Sequence, residues 1–398
     1  MTLQPAMPDT GVEPATGSAA AAGPTILFDA LSATEGGAVT YLRAFAARAR
    51  DDAVTRAQVL FLVSRQDQFD ELRAAGLRVE RVAECMSPAR RHLWYLRRVR
   101  DLIARHRIAL WYFAGGVPPV MFPWGSCPSV LSFRNALPFN TMEIARVHGW
   151  RARLRLHVLR YTIVRGARRT SALLFVSNYG RDLLADSLGG SLKARSEVIH
   201  HGLDARPTGK AGSDDPGLLY VSFIDAYKRQ IEVVEEYAVI VQRVTDAPRL
   251  TLVGSGDARY LGRLRERIEE LKLGERVRVM SSVSHRDVLG MMAAARIAVF
   301  ASVCENCPNI LIEKLHAGLP VLCSDRPPMP EIGGDAAIYF DPDRPGSLTE
   351  AFVALYASPQ RQRALAAAAR LRAERFAFDI TYRRTVDFLR SQLTLASE

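Results

Sequence analysis

The sequence predicts an α/β protein of two Rossmann-like, doubly wound parallel-sheet domains. Three observations support this. Short apolar runs alternate with helical patterns from residue 25 onward, the order that strand–helix winding demands. At 398 residues the chain exceeds one ordinary core, and its length favours two domains. A stretch at 205–217, rich in Gly, Pro, Asp and Lys, has no periodicity and reads as a linker.

The elements follow in order. Residues 1–24 lack a basic start and a hydrophobic block, so a disordered tail is expected there rather than a signal peptide. Thr25–Asp29 is the first strand, and its loop carries Glu35-Gly36-Gly37 into a helix over 38–49. Strands are expected at Val59–Val63, 109–113 and Ser129–Phe133, the last followed by Arg134-Asn135. A strand at 173–177 leads to Asn178-Tyr179-Gly180 and a helix, and one at 197–200 closes the first domain, 25–204. His200-His201 reads as a strand-end turn. The second domain, 218–378, opens with a strand at 218–222 and continues through 249–256, 276–279 and Ile297–Phe300. Helices are expected over 348–357 and 360–376, and an amphipathic one over 380–393 within a terminal segment, 379–398.

Composition narrows the class. Hydrophobic residues make up 48% of the chain, enough for two cores. No apolar run approaches the roughly 20 residues of a membrane-spanning helix. The 5 cysteines are sparse and irregular, which fits a reducing cytoplasm. Cys304 and Cys307 form a CxxC, but no second pair or histidine cluster completes a metal site. The histidines show no ligand spacing, and no Gly-x-Ser-x-Gly or Walker sequence occurs.

The formal charge of +11 is concentrated locally. No acidic residue lies between Glu143 and Asp182, whereas Arg151, Arg153, Arg155, Arg160, Arg165, Arg168 and Arg169 interleave with apolar residues. Arg90, Arg91, Arg97, Arg98, Arg100, Arg105 and Arg107 form a second basic stretch beside Trp94 and Tyr95. Such stretches suit an anionic membrane surface. A solvated helix face is the plainer alternative. Nucleic acid ranks last, because no binding motif accompanies the charge.

The most informative run is Glu305-Asn306-Cys307-Pro308-Asn309-Ile310-Leu311-Ile312-Glu313, followed by Lys314-Leu315-His316-Ala317-Gly318-Leu319-Pro320. Pro308 suits the first helical position. The N–H groups of Asn309, Ile310 and Leu311 would then lack helical acceptors and face a phosphate. Glu305 can accept from sugar hydroxyls, and Glu313 can clamp a vicinal diol such as a ribose.

This run resembles the E-x7-E signature of the family 4 retaining glycosyltransferases, which have the GT-B fold of two Rossmann-like domains facing a central cleft. Pro308, the small-residue turn after the helix and the apolar strand before it strengthen the match. The resemblance spans nearly all of residues 25–398. It implies that Glu305 meets the donor sugar and Glu313 the nucleotide ribose, with Cys307, Pro308, Asn309 and Ile310 in the donor-binding run. It also implies a glycine turn at Gly36-Gly37 and another at Gly254 near the nucleotide. Backbone contacts to the base fall at Val279-Met280-Ser281-Ser282, and a diphosphate cation at Lys228. The family's usual Gly-Arg is replaced by Ser222-Phe223, and Arg229 is the candidate substitute. Asn135, with Arg134 as alternative, stands where a polar residue faces the donor sugar. The resemblance implies that Glu305 and Lys228 carry catalysis.

The implied activity is retaining transfer from a nucleotide-sugar to a saccharide or polyprenyl-linked acceptor, in bacterial cell-surface polysaccharide assembly. The implied setting is the cytoplasm, at the inner face of the plasma membrane. No cofactor, metal or nucleic acid is expected. The terminal helix is expected to cross back to the first domain. A nucleotide-sugar 2-epimerase and a non-enzymatic basic membrane-binding module are the alternatives. The first fits the two glutamates less well, and the second would tolerate changes at Glu305 and Lys228.

Overall fold

The computed structural model describes residues 24–34, 36–119, 122–146, 149–204 and 217–395. The expected tail up to residue 23 and the expected linker over 205–216 lie outside the described residues.

Two sheets organise the chain. The first holds β1 (Thr25–Asp29), β2 (Val59–Val63), β3 (Arg78–Arg81), β4 (Ile108–Phe113), β5 (Ser129–Phe133), β6 (Ala172–Phe175) and β7 (Arg195–Val198), in the order β3-β2-β1-β4-β5-β6-β7. The second holds β8 (Leu218–Val221), β9 (Leu250–Val253), β10 (Val277–Met280), β11 (Ile297–Phe300), β12 (Val321–Ser324) and β13 (Ala337–Phe340), in the order β10-β9-β8-β11-β12-β13. The second sheet is parallel throughout. Each sheet winds outward from its first strand, then returns to that strand's other side. This is the doubly wound pattern, with a crevice where the winding reverses. The two reversal points are β1/β4 and β8/β11.

The central strands read as largely apolar runs because helices cover both faces of such sheets. β1, β2, β5, β8, β11 and β12 are buried at every residue. β3 is different. Its Arg78-Val79-Glu80-Arg81 is only half-buried at the sheet edge, and β7 at the opposite edge, with Arg195-Ser196-Glu197-Val198, likewise lacks an apolar run.

By its internal contacts the chain divides after Leu131. Residues from Leu389 onward belong with the first unit, and Ser132–Phe388 form the second. In the first unit Phe28 packs among Tyr41, Phe45, Phe61 and Tyr112. At the end of β1 the buried Asp29 carboxylate accepts from Tyr95 Oη (2.5 Å), Trp111 Nε1 (3.0 Å) and Leu31 N (3.1 Å). Burial nevertheless pushes its carboxyl above the usual range. Arg390 donates to Gln58 Oε1 and Thr55 Oγ1, both at 3.2 Å, fastening the end of helix Phe378–Leu395 in this unit. In the second unit Arg384 of the same helix donates to Glu197 Oε1 at 2.7 Å. Among the described residues no helix is long and apolar enough to cross a membrane.

The second unit also shows how side chains satisfy helix starts. Glu236 accepts from Gly346 N (2.5 Å), Thr349 N (2.9 Å) and Thr349 Oγ1 (2.7 Å), capping helix Ser347–Tyr356 from outside. Hydrogen bonds to a charged acceptor are worth about 1.5–3 kcal/mol each when removed from a buried donor. Glu236→Ala should therefore lower unfolding free energy by about 2 kcal/mol or more, read by urea denaturation.

Candidate active site

Lys228 and Glu305 meet because their loops leave adjacent strands. The segment after β8 forms a short turn, Ala226–Lys228, started by Asp225 accepting from Ala226 N at 2.6 Å. The segment after β11 runs beside it, and Val303 N donates to Tyr227 O at 2.9 Å. This tie sets the Lys228 ammonium against the Glu305 carboxylate in an ion pair, with only 10% and 15% of the side chains exposed. The Lys228 ammonium also lies 4.9 Å from the Tyr227 ring centroid.

The loop that carries Glu305 is anchored by its neighbour. Asn306 is buried; its Oδ1 accepts from Ser177 Oγ at 2.7 Å and its Nδ2 donates to Phe133 O at 3.1 Å. Gly180 makes room for it, since a Cβ there would stand 2.3 Å from Asn306 Oδ1. Helix Asn309–His316 follows. Pro308 is its N-cap, with φ −76° and ψ 102°, rather than its first helical residue. The expectation is corrected by one position, because the Pro308 carbonyl already accepts from Leu311 N (3.0 Å) and Ile312 N (3.2 Å). Leu311 N is therefore used, while the N–H groups of Asn309 and Ile310 lie outside the helix's own ladder.

The side chain of Asn309 faces elsewhere. Its Oδ1 accepts from His201 Nδ1 at 2.9 Å, and His201 Nε2 accepts from Arg134 Nη1 at 2.9 Å. Burial, then the Arg134 charge, pushes the His201 imidazole down to about 3. It is neutral near pH 7, and because Arg134 can only donate to Nε2, the ring proton sits on Nδ1. His200 pairs with Glu331 at 2.7 Å, whose carboxylate also accepts from Asn178 N (2.7 Å) and Tyr179 N (3.1 Å). Burial opposes the Glu331 charge, but His200 and the two N–H groups outweigh it and hold the carboxyl below its usual range. The two histidines thus sit in a polar network that the strand-end reading missed.

Glu313 is buried, and its Oε2 has no partner among the described residues. Burial raises its carboxyl above the usual range, with His285 and Lys314 opposing. Lys314 is fully buried, donates to Val221 O at 3.2 Å, and lies 5.0 Å from the Phe300 centroid. Burial pushes its ammonium down to about 7. The signal for Lys314 was available, since the residues one helical turn away, Ile310, Leu311, Ala317 and Gly318, are all apolar or small.

The remaining candidates are placed as follows. The Arg229 guanidinium is held by Glu232 and Asp343, both at 2.7 Å, so its charge is spent on these carboxylates. Gly254, at φ +152°, lies against the backbone just after β8, where a Cβ would stand 1.9 Å from Ser222 O. Gly254 N donates to Met280 O at 2.9 Å, so that carbonyl already has a backbone donor. Asn135 is exposed, and its Oδ1 accepts from Leu137 N at 3.1 Å. Burial pushes the Cys304 and Cys307 thiols up to about 12, leaving both protonated near neutrality. Among the described residues no cluster of ligands could hold a metal ion. In the first unit Gly36, at φ +62°, caps helix Gly37–Asp51 with no side-chain hydrogen bond.

Two family models match the chain: Glycosyltransferase Family 4 over residues 35–206 and Glycosyl transferases group 1 over residues 204–372. A comparison with curated proteins finds no match. Among solved structures, HepE from Anabaena in complex with UDP aligns with TM-score 0.69 at 19% identity, covering 92% of this chain and 100% of that one. Sucrose-phosphate synthase from Thermosynechococcus elongatus aligns with TM-score 0.70 at 15% identity, covering 93% and 99%. A glycosyltransferase from Rickettsia africae aligns with TM-score 0.69 at 14% identity, covering 92% and 98%.

Two measurements probe this geometry. Gly254→Ala should lower the melting temperature, since the new Cβ meets backbone at a φ that strains any side chain. For Glu313, a carboxyl raised on folding contributes stability below its unfolded value, and that stability is lost as pH rises through the folded value. Glu313→Gln should therefore melt above wild type at pH 7, with the gain shrinking toward pH 4, followed by circular dichroism. The two family matches together run from residue 35 to residue 372, and the chain belongs to the family 4 glycosyltransferases of the GT-B fold.

Proposed function

We propose that the chain is a retaining glycosyltransferase moving a sugar from a nucleotide-sugar donor to a saccharide or lipid-linked saccharide acceptor. The observation that carries this is Glu313. A buried carboxylate oxygen without a partner is costly, and it sits on the helix that opens beside the Lys228–Glu305 pair. A ribose diol would satisfy it. The free N–H groups of Asn309 and Ile310 would take a phosphate, assisted by the helix dipole. An ammonium has three donors, so Lys228 can keep Glu305 and still reach a phosphate oxygen. HepE from Anabaena has been solved with UDP, with UDP and glucose, and with UDP-glucose, which supports a donor of that chemical class.

In this reading residues 218–378 bind the donor and residues 25–204 the acceptor. Negative charge builds on the β-phosphate as the glycosidic bond breaks, and Lys228 with the helix opening stabilises it. Glu305 positions the sugar. The acceptor attacks from the face the phosphate leaves, and the phosphate takes its proton, so the reaction needs neither a protein nucleophile nor a metal. The setting we propose is bacterial cell-surface polysaccharide assembly (O-antigen, capsule or exopolysaccharide), in the cytoplasm against an anionic membrane.

Lys228→Ala and Glu305→Ala should each lower kcat by about 10²–10³-fold, or about 2.7–4 kcal/mol, while leaving the circular dichroism spectrum unchanged. Wild-type turnover in both variants would sink the assignment. A panel of GDP-, UDP- and dTDP-sugars should contain one that raises the wild-type melting temperature. Glu313→Ala should remove most of that rise.

A further inference from the structure

Helix Trp150–Ala167 presents a face that the proposed reaction does not use. Trp150, Leu154 and Tyr161 follow at intervals of four and seven residues, one side of an α-helix. With Val158 they form an exposed apolar row. The same line continues through Arg165 and Arg168 into a cavity of about 420 Å³. His157, Arg160, Tyr161, Arg165, Arg168 and Arg169 line it. Tyr161 belongs to both row and wall, so the two are continuous.

The cavity is strongly cationic. The stretch from Glu143 to Asp182 contains no acidic residue between its ends, and four arginines line the cavity. The Nε of Arg165 is buried and has no acceptor among the described residues. Arg160 is held over the Phe139 ring, 5.6 Å from its centroid. Several guanidinium groups around a small chamber match a compact oxyanion, because each can give two parallel N–H bonds to phosphate oxygens. The apolar row beside it has the character of an interfacial helix face.

We propose that this face docks on an anionic lipid bilayer, with the apolar row entering the headgroup–acyl boundary and the arginine cavity closing on a headgroup phosphomonoester. The proposal rests on the reading of the enzyme as one that works at a membrane. A phosphomonoester carries about −1.5 to −2 charges near neutrality, more than the single charge of a phosphodiester, so the cavity discriminates between headgroups. Diffuse surface attraction responds to charge alone.

The test is co-sedimentation of the full chain with phosphatidylcholine vesicles containing phosphatidic acid or phosphatidylserine at matched total charge. Wild type should prefer phosphatidic acid. Arg168 and Arg169 are both exposed, so R168Q/R169Q keeps the fold. It should weaken binding by about fivefold per arginine and abolish the preference. R97Q/R98Q removes equal charge elsewhere and should keep the preference. Trp150→Ser with Tyr161→Ser should weaken binding to both vesicle types. Three results would each overturn the proposal: no preference in wild type, a preference that survives R168Q/R169Q, or displacement from vesicles by single-stranded RNA at equal phosphate concentration. Donor-induced thermal stabilisation, measured alongside, separates the two readings. Stabilisation without vesicle binding removes the docking face and leaves the transferase. Vesicle binding without stabilisation by any donor removes the transferase reading instead.

Discussion

The site depends on the parallel pairing of β8 with β11, registered Leu218 to Ile297 and Leu219 to Ala298. β8 is followed by a segment leading to β9 on one side, and β11 by one leading to β12 on the other. Loops that diverge in this way leave a crevice at the carboxyl ends of the two strands. Lys228 enters from one loop and Glu305 from the other. The backbone bond from Val303 to Tyr227 prevents the loops from parting. The charge pair is thus a consequence of strand order rather than of residues close in sequence.

Behind this crevice the protein buries two groups that a purely structural helix would avoid. Glu313 and Lys314 are adjacent on helix Asn309–His316, and burial disfavours the charged form of each. Replacing buried ionisable groups with apolar ones of similar volume is often stabilising. Their presence so near Lys228 and Glu305 marks a place where stability is given up for an environment. Gly254 reflects a related constraint, since the backbone after β9 passes too close to the backbone after β8 for any side chain.

Much of this was legible in the sequence. Residues 26–28, Val59–Val63 and Ile297–Phe300 are unbroken apolar runs, and the structure forms strands over those residues. β3 was not legible, because an edge strand alternates charge with a single valine and has only one neighbour to cover it. β12 begins directly after Pro320, at the end of the small-residue turn, and its last residues Cys323 and Ser324 are not the branched apolar residues that announce a strand. Pro308 was off by one position, as helix boundaries often are when a carbonyl rather than a side chain sets the start. The pairing of Lys228 with Glu305 needed strand order, which composition does not supply. His201, Asn306 and Glu331 were missed for a shared reason. Their partners Arg134, Ser177 and Asn178 lie far away in sequence, and no local pattern announces such a bond.

The helix starting at Asn178 shows how one anion can be steered among several attractive positions. Its first N–H groups are filled by the Glu331 carboxylate, which His200 holds in its ionised form. An incoming pyrophosphate would have to displace an internal ligand to settle there. Among the described residues the opening at Asn309 carries no such built-in plug, so the selectivity between the two comes from what has already been seated at the first.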